Sequence, residues 1–157
     1  MSDPQMYNTF ETALEAAVEM ENHEFRNYLK TIQKIKDKNA KTVLKEAARD
    51  ELNHKFMLEK SLLAEAMLDD KTFGQTATTV NFSYLPPKKE LSPGSTAKEV
   101  LIYAIHMEKN SVDFYERIIE GYGRSPMVGL FEILLADEKR HLQALEDVYE
   151  KYFMLEN

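Results

Sequence analysis

The sequence superposes on itself when it is slid by 87 positions, the separation of Glu21 from Glu108. Leu14 then meets Leu101, Ala17 meets Ala104, Met20 meets Met107, Tyr28 meets Tyr115 and Ile32 meets Ile119. At the same offset, with no gap, Asp50 meets Asp137, Glu51 meets Glu138, His54 meets His141, Leu58 meets Leu145 and Glu59 meets Glu146. Both matching blocks repeat their apolar residues at the 3.6-residue period of an amphipathic helix. The chain therefore reads as two copies of one helical hairpin, related by a pseudo-twofold axis.

Four segments carry that period, over residues 7–36, 41–68, 97–121 and 127–154, and all are rich in the helix formers Ala, Leu, Met, Glu and Lys. Lys36 to Ala40 forms a short polar turn; Gly121, Gly123, Ser125 and Pro126 form another; Thr96 with Glu99 makes a capping box for the third helix. Short turns make each pair antiparallel. The middle connector, residues 69–95, is different: Gly74, the β-leaning run Thr78-Thr79-Val80-Asn81-Phe82, Pro86-Pro87 and Pro93-Gly94 keep it from being helical throughout. Extended at about 3.3 Å per residue, it spans roughly 85 Å. A 28-residue helix is only about 42 Å long. The connector can therefore run the full length of a bundle and set the third helix parallel to the second. The predicted fold is all-α, a four-helix bundle of two antiparallel hairpins joined by a long crossover, in one domain over residues 1–157.

The anomaly is where the acids fall. On a helix Glu108 shares its face with Leu101, Ala104, Ile105, Val112 and Tyr115, and Glu21 with Leu14, Ala17, Val18, Phe25 and Tyr28. Glu138 sits among Phe131, Leu134, Leu135, Leu142 and Leu145, and Glu51 among Leu44, Ala47, Ala48 and Leu58. Burying one ionised carboxylate costs several kcal/mol, and four would unfold a marginally stable domain unless cations neutralise them. The sequence supplies no matching buried Lys or Arg on those faces, so bound metal is the natural compensation. His54 follows Glu51, and His141 follows Glu138, by three residues, which aims both side chains of each pair at one point. Four carboxylates and two imidazoles form a hard, mixed O/N set suited to iron or manganese, the arrangement already described for di-metal carboxylate bundles. Glu21 and Glu108 are assigned as terminal ligands, Glu51 and Glu138 as bridges, and His54 and His141 as one terminal ligand each.

The motifs Ala17-Val-Glu-Met-Glu21 with Tyr28, Ala104-Ile-His-Met-Glu108 with Phe114-Tyr115, Asp50-Glu-Leu-Asn-His54 and Asp137-Glu-Lys-Arg-His141-Leu resemble the ferritin-like superfamily, closest to the rubrerythrin group. The resemblance covers nearly the whole chain apart from the crossover. It implies a di-iron oxidoreductase that reduces hydrogen peroxide or dioxygen with electrons from an external donor protein, with Glu51 and Glu138 as catalytic residues that shift as the iron valence changes. Iron storage or delivery by a ferroxidase is an alternative, and a non-catalytic, metal-stabilised or iron-sensing bundle is another. Rubrerythrins usually carry a small Cys-ligated iron domain, whereas this chain has no cysteine at all. They also have a further glutamate one turn beyond the third-helix ligand, where Ser111 stands here; its counterpart on the first helix is Glu24, an extra ligand or a solvent-facing acid. Bacterioferritins share the Glu and Glu-x-x-His frame but bind haem through a methionine where this chain has Leu52, so no haem is predicted.

Asp50 and Asp137 can accept hydrogen bonds from the histidines of the opposite hairpin, fixing their tautomer, or stand solvated beside the ligands. Tyr28 and Tyr115 are expected to hydrogen-bond ligand carboxylates. His23 and His106 lie about 160–200° around the helix from the ligands and read as surface or subunit-contact residues, while Met20 and Met107 read as packing. The absence of cysteine excludes disulfides and Cys-ligated metal in these residues. A net charge of −7 argues against nucleic acid or an anionic membrane as partner. No segment has membrane-spanning length and no leader precedes the first helix, so a cytoplasmic protein is expected, as a homodimer.

Overall fold

Sequence-local signals set where two of the helices begin. The computed structural model describes residues 10–67, 91–122 and 128–153. It forms α1 (Phe10–Lys34), α2 (Lys38–Met67), α3 (Ala97–Tyr122) and α4 (Val128–Tyr152). The α2 helix starts three residues before the expected 41, because the Asp37 carboxylate accepts the Ala40 N–H at 2.9 Å and caps the first turn. Residues 36–40, read as a turn, are thus mostly helix. At α3 the predicted capping box is present: the Glu99 N–H donates to Thr96 Oγ1 at 3.1 Å, and Thr96 N–H donates back to Glu99 at 3.4 Å. The predicted ends at 7–9, 68, 127 and 154 lie outside the described residues, as does the crossover from 69 to 90. Its last part, Ser92-Pro93-Gly94-Ser95, is a turn closed by Ser95 N–H to Ser92 O at 3.0 Å. The Lys34 ammonium at the end of α1 donates to Pro93 O across that turn.

Side chain pairings give the topology. The α1 helix packs on α2 and α3, and α4 packs on α3 and α2. Phe10 meets Tyr122, Tyr115 meets Glu21, and Tyr28 meets Glu108, so residue numbers rise on α1 as they fall on α3, and these two helices are antiparallel. Because the short α1–α2 turn also makes α2 antiparallel to α1, α2 and α3 are parallel. That is the one-crossover, ferritin-like four-helix bundle. Among the described residues no helix is long and apolar enough to cross a membrane.

Two apolar layers fill the bundle. One contains Phe10, Leu14, Leu58, Phe114, Ile118, Phe131 and Leu134; the other contains Ile35, Leu44, Ala48, Leu101, Leu145 and Val148. Phe10 stacks edge-on against Tyr122 and Phe131 with centroids 5.5 and 5.7 Å apart, tying α1, α3 and α4 together at one end. Each such side chain contributes about 1.5–3 kcal/mol by leaving water. Between the layers lies the one part of the interior that is built of acids and imidazoles.

Candidate metal centre

Glu21, Glu51, His54, Glu108, Glu138 and His141 are all buried, none more than 5% exposed. Their ligand atoms form two quartets. Glu21, Glu51, His54 and Glu138 make one, and Glu51, Glu108, Glu138 and His141 the other, with the atoms of each within 4.8 Å of one another. Glu51 and Glu138 belong to both. The helical spacing predicted this convergence: Glu and His three residues apart on α2 and on α4 face inward together.

The imidazoles are held by the opposite hairpin. His54 Nε2 lies 2.8 Å from Asp137 Oδ2, and His141 Nε2 lies 2.9 Å from Asp50 Oδ2. With Nε2–H donating to an aspartate, each ring presents Nδ1 to the cluster. His54 Nδ1 is 3.1 Å from Glu138 and 3.4 Å from Glu21, and His141 Nδ1 is 2.8 Å from Glu51. The two rings stack across the centre, 5.8 Å between centroids. The tyrosines cross between hairpins in the same way. Tyr28 donates to Glu108 at 2.5 Å and Tyr115 donates to Glu21 at 2.6 Å. Burial, followed by the nearby carboxylates, pushes both phenols well above their usual range, so they stay protonated donors at any working pH.

Glu24 does not face solvent. It is buried one turn beyond Glu21, whereas Ser111 at the equivalent place on α3 donates its hydroxyl to Met107 O at 3.0 Å. His23 is half-buried and lies 3.4 Å from Tyr103 Oη, which puts it in the packing of α1 on α3 rather than on a free surface; His106 is exposed. Met20 and Met107 are buried in the core. Arg140, not singled out from sequence, pairs with Asp137 three residues before it on α4.

The electrostatics of the cluster favour a cation. Burial raises the pKa of Glu21, Glu24, Glu51 and Glu108, and each is pressed further by neighbouring acids, Glu138 above all. Burial acts on Glu138 too, but hydrogen bonding from Glu108, His141 and His54 outweighs it and holds this carboxyl well below the usual range. Burial alone would lower His54, yet Glu138 and Glu21 carry it up to about 11; His141 is raised for similar reasons. Even so, Glu21 Oε2, both oxygens of Glu24 and Glu51, Glu108 Oε2, Glu138 Oε2 and His141 Nδ1 have no hydrogen-bond partner among the described residues. Buried lone pairs that converge without donors fit a cation. The hard O/N donor set fits a divalent transition metal of the iron or manganese type. A rubrerythrin family model matches residues 12–149. The chain belongs to the rubrerythrin family. Neither a curated protein nor a solved structure matches it.

Proposed function

We propose that this rubrerythrin-family chain binds two metal ions, iron with manganese as the chemical alternative, and reduces hydrogen peroxide or dioxygen with electrons from a separate donor protein. The observation that carries the reading is the pair of buried quartets sharing Glu51 and Glu138, with one histidine each. When bound, a pair of divalent iron ions supplies two electrons, which with two protons convert hydrogen peroxide to two water molecules.

The chain's own residues prepare that chemistry. Glu21, Glu108 and the shared Glu51 and Glu138 would hold the pair through their carboxylates, and His54 and His141 through Nδ1. Asp137 and Asp50 hold the rings, and Tyr115 and Tyr28 hold the terminal carboxylates through short donated hydrogen bonds. The apolar layers on either side keep bulk water away, which strengthens every charge interaction inside. The lack of a cysteine redox centre within these residues supports electrons arriving from outside them. The proposal includes a homodimer, supported by Leu52, Phe56 and Leu63, which lie within about 40° on one face of α2 and are exposed, the last two at 63%. A second copy would cover them.

Anaerobic reconstitution with Fe(II), a count of metals per chain, and stopped-flow mixing with each oxidant test the reading. Two irons oxidised fastest by peroxide support a peroxidase, and faster oxidation by dioxygen supports an oxidase or ferroxidase. Two irons inert to both would leave a structural or sensing role. Fewer than two metals per chain would refute the site.

A further inference from the structure

Glu24 is the buried acid that the symmetric six-residue set does not use. It lies three residues after Glu21 on α1, is 2% exposed, and neither of its oxygens has a hydrogen-bond partner among the described residues. Burial first, and then the charges of Glu138 and Glu21, push its carboxyl well above the usual range, with Glu51 opposing them only in part. A carboxylate in such a place costs several kcal/mol unless a cation meets it. The duplicated hairpin has no equivalent. Ser111 occupies the matching position, also buried, but its hydroxyl is committed to the Met107 carbonyl of its own helix.

Resting on the two-metal reading above, we infer that Glu24 is a seventh ligand, a fifth carboxylate that binds one metal of the pair and makes the two positions unequal. Glu21 and Glu24 occupy one face of α1, a single turn apart, so both reach the same centre. With four carboxylates, two divalent ions are balanced in charge and the two halves of the site are alike in ligand type. The fifth carboxylate adds charge and a donor from one hairpin only. Two metals therefore enter in sequence, the first at the position Glu24 completes.

Anaerobic titration of the full chain with Co(II), followed by its visible bands, tests this. Wild type is expected to take two cobalt ions per chain in two resolved steps. Glu24→Gln should still take two, but with the tighter step weakened by about tenfold or more, the steps merged, and stronger visible bands as one cobalt loses a ligand. Identical constants and spectra for the two proteins would overturn the inference. A wild type that fails to take two cobalt ions would instead sink the two-metal reading itself. Circular dichroism of metal-free Glu24→Gln checks its folding. Should it not fold, a crystal structure of cobalt-loaded wild type decides: a Glu24 oxygen about 2.0–2.2 Å from one cobalt supports the inference, and a Glu24 turned from both overturns it.

Discussion

The two halves of the centre match in candidate ligands and differ in surroundings. Glu21 and His54 come from the first hairpin, Glu108 and His141 from the second, and each set is oriented by an aspartate and a tyrosine from the other hairpin. Around this frame the copies have diverged. His54 lies 3.4 Å from its own terminal glutamate, whereas His141 lies 3.8 Å from Glu108. Asp137 is the more covered aspartate and also holds Arg140; Asp50 is 37% exposed. Glu24 stands where the second hairpin has Ser111. Duplication thus repeats the candidate donor atoms, while the later differences make the surroundings of the two halves unequal.

The shared residues give the largest test. Glu51→Ala or Glu138→Ala removes a member of both quartets, and each is expected to abolish binding of a metal pair, measured as metal per chain after anaerobic loading. Retention of two metals would refute the bridging assignment.

Next in size is the pH response of the metal-free protein. The raised carboxyls of Glu21, Glu24, Glu51 and Glu108 contribute stability that is present below the usual 4.5 and is lost as pH rises through their folded values. His54 contributes fully below 6.5 and loses that contribution as pH approaches about 11. Glu138 and Asp137, both lowered, act oppositely and lose theirs only on acidification below their ordinary range. The metal-free melting temperature is therefore expected to rise between about pH 8 and pH 5. Metal should reverse the trend, since ligands bind it deprotonated. A metal-free melting temperature that falls over that interval would contradict the burial of these acids.

The aspartates sharpen the contrast between halves. Asp137→Asn and Asp50→Asn should each weaken metal binding by about 10–100-fold, with the larger loss for the more covered Asp137. Equal losses, read by competition with a chelator, would mean that exposure does not distinguish the halves. The smallest effect is expected from the tyrosines. Tyr28→Phe and Tyr115→Phe each strip one hydrogen-bond donor from a buried carboxyl, at a cost of about 0.5–1.5 kcal/mol in metal-free stability. The two values should be similar, because 2.5 and 2.6 Å bonds of the same kind are removed. Thermal melts of the two variants at matched pH check this.

Much of this was legible in the sequence, for a physical reason. A charged residue in an apolar helical stripe is costly, so its recurrence at one offset marked Glu21, Glu51, Glu108 and Glu138, and the three-residue step to His54 and His141 did the rest. The aspartate contacts across the hairpins were among the readings the motifs allowed, whereas the crossing of the tyrosines was less accessible. Which glutamate Tyr28 meets depends on how one hairpin lies against the other, and helical periodicity carries no such term. Glu24 was undecided because a position three residues from Glu21 borders the apolar stripe, and only the packing of α1 on its neighbours decides whether that border is covered. The early start of α2 escaped because Asp37 was read as part of a polar turn rather than as the acceptor that begins a helix.

The reciprocal holding of ligands has a consequence for how the molecule can be taken apart. Each hairpin carries half the ligands and the props for the other half, so neither piece has a finished half-site. Association of the two hairpins is therefore expected to persist, concentration-dependently, when they are not covalently joined. Two peptides cut at that connection would behave as a heterodimer whose assembly depends on dilution and whose affinity metal increases.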